Sequence, residues 1–219
     1  MRAVSALTLF GHACVLVADG DNRVLIDPGH FSNQGALSLS DAVLITHDHF
    51  DHLDPVALVA NMAANPAVNV WAPSQSHGLL VQAGADANRL HLVAPGDEFT
   101  AGGLPVQVFG GDHAVMFADV PCSQNIGYVV AGDIVHPGDS FAAPPSGVSA
   151  RVLLLPISAP WLTVNDVVAY ARALNPEIAI PVHDAILSDA GRGVFDRIVS
   201  SAAGLESYRR VAAGDEILV

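Results

Sequence analysis

The apolar run Ala42-Val43-Leu44-Ile45 passes without a spacer into Thr46-His47-Asp48-His49-Phe50-Asp51-His52. A run with no polar alternation reads as a strand buried on both faces. Three histidines and two aspartates at its end place a polar, chemistry-bearing loop where that strand leaves the core. The rest of the chain must therefore supply layers that cover the strand and further groups that meet the loop.

Imidazole nitrogens and carboxylate oxygens are ligands of zinc and other first-row divalent ions. An extended segment would send His47, His49 and Asp51 to one side and His52 to the other. A helix would put His49 and His52 on one face with His47 elsewhere. A loop leaving the strand can instead wrap two ions, with His47 and His49 on one and Asp51 and His52 on the other. Ions roughly 3.5–4 Å apart form the bridged pair common in metal-assisted hydrolysis. A polar turn before a helix capped by Asp54 and started by Pro55 accounts for the cap, but not for the three histidines.

At 219 residues the chain suits a single domain over residues 1–219. With 51% hydrophobic and 14% charged residues it is globular rather than disordered. The formal charge is −13, from 22 acidic against nine basic residues with no lysine, so no basic stripe exists to follow a phosphate backbone and long nucleic acids are disfavoured. Two divalent cations would reverse that sign locally and admit a small anionic substrate. No apolar run reaches the roughly 18–20 residues of a membrane span and no basic region precedes an apolar one at the N-terminus, so a cytoplasmic protein without a membrane partner is expected. Cys14 and Cys122 lack C-x-x-C spacing and imply no disulfide framework. Oligomeric state has no signature in the sequence.

Strands are expected at 6–10, 12–18 and 23–26, with a hairpin turn at Asp19-Gly20-Asp21-Asn22, and at 42–46. A helix over 55–64, a strand over 68–71, a helix over 74–83 and a strand over 89–93 favour a layered α/β domain. Short strands at 98–100, 105–109, 126–131 and 134–135 suggest a second, mostly antiparallel sheet. The last third reads as a strand at 151–155, a helix at 164–174 ended by Asn175-Pro176, a strand at 177–180 and a helix at 194–203 stopped by Gly204. Two sheets packed face to face and covered by helices are the predicted architecture.

Three further strand ends carry donors: Gly110-Gly111-Asp112-His113, His136-Pro137-Gly138-Asp139 and Pro181-Val182-His183-Asp184. With these, the pattern resembles the metallo-β-lactamase superfamily of αββα hydrolases over nearly the whole chain. The opening Gly11-His12-Ala13-Cys14-Val15-Leu16 and Leu25-Ile26-Asp27-Pro28 are similar to its branch of ascorbate-6-phosphate lactonase-like and uncharacterised metal-dependent hydrolases. The resemblance implies a four-layer αββα sandwich. It implies that His47, His49 and His113 hold one ion, Asp51, His52 and His183 the other, and that Asp139 bridges them. In dizinc or dimanganese relatives a bridging hydroxide attacks the substrate. The resemblance assigns catalytic roles to Asp139 and to Asp51, which orients that hydroxide or accepts its proton.

True β-lactamases of the superfamily lack a histidine at the position of His52 and keep a cysteine where Asp139 stands, which argues against penicillin hydrolysis. No insertion of the nucleic-acid-cutting type and no C-terminal helical domain of the thioesterase type is visible. The expected activity is hydrolysis of a small, anionic ester, lactone or phosphodiester with two zinc or manganese ions. Iron-dependent oxidation on the same scaffold and a non-catalytic, metal-stabilised binding role are the alternatives. His12 and His136 read equally well as outer partners that orient ligands or as substrate contacts. Asp27, costly if buried alone, is expected to bond within the metal loop. Trp161 is a candidate pocket wall, Phe31 and Asn33 weaker ones, and His30, His77 and His91 read as solvated.

Overall fold

The computed structural model describes residues 5–117, 122–205 and 207–219. The first half forms β1 (Ala6–Leu9), β2 (Val15–Asp19), β3 (Asn22–Ile26), β4 (Ala42–Leu44), α1 (Pro55–Ala64), β5 (Asn69–Ala72), α2 (Ser74–Gln82) and β6 (Leu90–Leu92). The second forms β7 (Glu98–Ala101), β8 (Leu104–Asp112), β9 (Gln124–Val130), β10 (Ile134–His136), β11 (Val152–Pro156), α3 (Val164–Leu174), β12 (Ile178–Val182) and α4 (Asp189–Ala203). A last strand, β13 (Glu216–Leu218), returns to pair antiparallel with β1. The sheets run β13-β1-β2-β3-β4-β5-β6 and β12-β11-β10-β9-β8-β7. The second is antiparallel from β7 to β10 and parallel from β10 to β12.

Three apolar clusters fill the three interfaces of a four-layer αββα sandwich, the expected architecture. Period-two alternation sorts each strand between them. Ala42 and Leu44 face the space between the sheets, where they join Val152, Leu154 and Tyr128. Val43 faces outward to Leu58 and Met62 of α1 and Leu80 of α2. Leu153 and Leu155 face outward to Val167, Tyr170 and Ala171 of α3 and Val199 of α4. Such all-apolar strands are stable only when covered twice, each fully buried Val or Leu being worth about 1.5–3 kcal/mol. Among the described residues no helix is long and apolar enough to cross a membrane.

Helix ends follow local chemistry. Asp54 accepts from Ala57 N and Pro55 opens α1, as expected. Thr163 and Asp166 form a reciprocal capping box at α3, and Asn175 closes it in the left-handed conformation. Two expected starts need correction. The strand expected from His12 begins at Val15, because Gly11 and His12 are left-handed and turn the chain, with Cys14 N bonded to Gly11 O. The helix expected from Val194 begins at Asp189, capped by Ser188, where Gly191 and Gly193 hide the periodicity. The 3-10 turns Gln34–Leu39 and Ala87–Arg89 and the three-residue β13 were not anticipated.

The ends of β4, β8, β10 and β12 open on one edge of the sandwich. The sheets are stitched together there by Ile126 N to Thr46 O at 3.0 Å and Tyr128 OH to Ile45 O at 2.8 Å.

Candidate metal centre

Two groups of ligand-type atoms lie at that edge, each with its members within 4.8 Å of one another. One is His47, His49, His113 and Asp139, the other His12, Asp51, His52 and His183. The first draws on the ends of β4, β8 and β10, the second on the motif loop, the end of β12 and the turn before β2. Asp139 lies between them: Oδ1 is 3.2 Å from His52 Nε2, and Oδ2 is 3.4 Å from His113 Nε2 and 3.1 Å from His183 Nε2. All seven residues expected as ligands are thus in the two clusters, and the structure adds His12.

The hydrogen bonds fix which ring nitrogens face inward. His52 Nδ1 donates to Asp27 Oδ2 at 2.7 Å, His113 Nδ1 to Ala114 O at 2.6 Å and His183 Nδ1 to Ser158 O at 2.7 Å. Thr46 Oγ1 directs its single proton at Asp27 Oδ2, so it can only accept from His47 Nδ1 at 2.9 Å. With Nδ1 engaged in this way each Nε2 points inward, the arrangement in which outer partners orient a metal-binding histidine. His52 Nε2, His113 Nε2, His183 Nε2 and Asp139 Oδ1 are buried with no hydrogen-bond partner. Buried polar atoms without partners cost about 1–3 kcal/mol each. Four that converge on one small volume, close together yet not aligned to bond one another, fit a divalent cation at each cluster.

His12 differs. Its Nδ1 accepts from Ala185 N at 3.3 Å, so Nε2 carries the proton and donates to Asp51 Oδ2 at 3.1 Å. The ring is occupied at both ends and positions Asp51. His136 is likewise a brace: Nδ1 accepts from Gly138 N and Nε2 donates to Ala13 O. Trp161 donates from Nε1 to Asp139 Oδ2 at 2.9 Å, a more specific role than a pocket wall. Asp27 bonds within the loop as expected, through Thr46 N, Thr46 Oγ1 and His52 Nδ1. His30 is exposed, and His77 and His91 are half-buried outside the clusters.

Backbone strain concentrates here. Five described non-glycine residues have left-handed φ, and three of them are His12 (51°), Asp27 (49°) and His183 (60°). Gly29 sits so close to the motif loop that a Cβ would collide with the Asp51 carbonyl, and at Gly138 a Cβ would strike Asn125 Oδ1 and Thr46. Asn125, fully buried, accepts from Asp139 N and donates to Pro137 O, which holds the Asp139 turn. Nothing in the sequence singles it out, because it follows Ser123 and Gln124 in one short polar run at the start of β9.

The charges are coupled. Burial lowers the pKa of His47 well below its ordinary value, helped by the neighbouring charge of His52. Burial opposes a proton on His52 too, but the carboxylates of Asp139 and Asp27 outweigh it and raise that pKa well above the ordinary value. For Asp139, burial is overcome by His52 and His183, and the carboxyl stays ionised far into acid. Asp51 is brought to about 2 against the effect of burial, chiefly by the His12 hydrogen bond.

Known proteins carry the same arrangement of chain. The profile described as the beta-lactamase superfamily domain matches residues 6–183. Protein Rv0786c of Mycobacterium tuberculosis is 38% identical over 196 residues, covering 86% of this chain and 88% of that protein. A UPF0173 metal-dependent hydrolase of Aeropyrum pernix is 28% identical over 207 residues, covering 82% of each. In structure, the metallo-beta-lactamase fold protein YhfI of Bacillus subtilis superimposes with a TM-score of 0.76 at 14% identity over 100% of both chains. A profile spanning most of the chain, a relative of this identity and a shared fold lead to one conclusion: the chain belongs to the beta-lactamase superfamily and has the metallo-β-lactamase fold.

Proposed function

We propose that the protein is a binuclear metal-dependent hydrolase of a small, anionic ester, lactone or phosphodiester. The observation that carries this reading is the convergence of His52 Nε2, His113 Nε2, His183 Nε2 and Asp139 Oδ1, all buried and unpaired, between two ligand-type clusters. His47, His49 and His113 would hold one cation and Asp51, His52 and His183 the other, with Asp139 shared. Zinc or manganese suits imidazole mixed with carboxylate. Cations at such sites supply Lewis acidity toward the electrophile and make water acidic enough to act as a nucleophile near neutral pH. A relative named as a metal-dependent hydrolase supports the reaction class.

The chain's own residues orient and neutralise. Asp51 is held by the His12 hydrogen bond at 3.1 Å, which would fix its carboxylate to orient the nucleophile or to accept its proton. Asp139 is fixed through its backbone by Asn125 and through its side chain by Trp161. The acidic surface, −13 overall, favours small molecules over nucleic acid.

Elemental analysis of untagged protein purified without chelators should give about two equivalents of zinc or manganese, and a screen of lactones, esters and phosphodiesters should find turnover that His49→Ala abolishes. Full activity in His49→Ala would contradict the mechanism. Predominant iron with dioxygen-dependent turnover would put oxidation in its place.

A further inference from the structure

The loops that build the metal centre also hold apolar side chains in water. Among the described residues the exposed phenylalanines are Phe31, Phe50 and Phe117, at 40%, 58% and 64%, and no tryptophan or tyrosine is as exposed. Phe31 packs edge-on against His12 at 5.3 Å and Phe50 against Phe31 at 5.2 Å. Phe117 follows His113 with exposed Val115 and Met116, and exposed Ile186 follows His183. Single exposed apolar residues need no explanation, whereas a group around a polar cleft marks a binding surface.

Met116 and Phe117 form the apolar wall of a cavity of about 160 Å³ that is also lined by His49, His113 and Ser123, so this space opens onto the first cluster. It is smaller than the roughly 300–1,000 Å³ of a pocket for a whole drug-sized ligand, and therefore fits one arm of a molecule. Next to the second cluster, a cavity of about 450 Å³ lined by His12 and Phe31 contains Asp184, Asp189, Arg192 and Arg210. Its charges are paired, as in Arg192 Nε to Asp184 Oδ2 at 3.0 Å, so it suits a polar arm rather than a bare anion. The space beside the first cluster is thus walled in part by the exposed apolar side chains of Met116 and Phe117, and the one beside the second holds charged side chains that pair with one another.

Resting on the reading that the clusters hold cations which take the reacting group, we propose that the substrate is amphiphilic. Its ester or phosphodiester lies at the clusters and a short neutral apolar arm enters the space between His49, His113, Met116 and Phe117. An anionic lipid surface is a poor occupant: the chain carries −13 with no lysine, and Asp48, Asp51 and Asp54 flank Phe50 in sequence.

The test is calorimetric titration of zinc-loaded protein with non-hydrolysable n-alkylphosphonates from methyl to hexyl. Affinity should rise about four-fold per methylene over the first few carbons, as for a buried CH₂, and then level off when the cavity is full. The hexyl-to-methyl affinity ratio should collapse in Phe117→Ser and stay unchanged in Ile198→Ser, an exposed apolar position on α4. A flat series with methylphosphonate bound would overturn the apolar arm alone, as would an equal loss in both variants. Failure of methylphosphonate to prefer zinc-loaded over metal-free protein would overturn the underlying reading instead.

Discussion

His47 and His52 leave the same loop, both are fully buried, and their ring centroids are 4.0 Å apart, yet a proton is driven off one and held on the other. The difference lies in their outer partners. His47 Nδ1 meets the neutral Thr46 hydroxyl and its ring meets His49 and His113. His52 is gripped by Asp27 at Nδ1 and faces Asp139 at Nε2. Burial by itself would depress both. His47 therefore offers a neutral imidazole to a cation, whereas His52 would have to release a proton to accept one.

Removing Asp27 would break this contrast most severely. Asp27→Ala deletes the buried partner of His52 and of Thr46, and loss of one member of a buried ion pair costs about 3–5 kcal/mol. Urea unfolding of the metal-free protein should show a loss of that size, and a change under about 1 kcal/mol would mean that water replaces the carboxylate. Trp161→Phe probes the carboxylate that both clusters share. It removes the donor to Asp139 Oδ2 while keeping an aromatic ring against Phe141. Metal affinity by competition with a chromophoric chelator should fall about 10–100-fold with thermal stability of the metal-free protein nearly unchanged. Unchanged affinity would reduce Trp161 to packing.

The pH dependence of the metal-free protein sharpens the comparison with the smallest effect per step. His47 has a depressed folded pKa, so its contribution is intact above the unfolded value near 6.5 and is lost as pH falls below it. His52 has a raised folded pKa, so its contribution is intact below about 6.5 and is lost as pH rises through the folded value. Each proton contributes at most about 1.4 kcal/mol per pH unit. His47→Asn should flatten the acid limb of the urea midpoint and His52→Asn the alkaline limb. Identical profiles for the two variants would erase the proposed difference.

These two histidines also mark how far the sequence could be read. The motif 46–52 is contiguous, so its ligand character is visible without a fold, and the apolar runs at 42–45 and 152–155 are enough to require coverage on both sides. His113, Asp139 and His183 lie singly at strand ends and gain meaning only together. What sets each ligand group was not legible, because the partner is a main-chain carbonyl, as Ser158 O is for the His183 ring, or a side chain distant in sequence, as Asn125 and Trp161 are for Asp139. The turn before β2 was misread because an apolar run conceals a left-handed His12, a state that depends on the Asp51 and Ala185 contacts across the fold.

The central claim is that two cations are held by two differently built clusters that share Asp139. Crystals grown with zinc and measured on either side of the zinc absorption edge test it directly. The account predicts two anomalous peaks, one among His47, His49 and His113 and one among Asp51, His52 and His183, with Asp139 between them. A single peak, or peaks elsewhere with His52 Nε2 and Asp139 Oδ1 still unpaired, would contradict it.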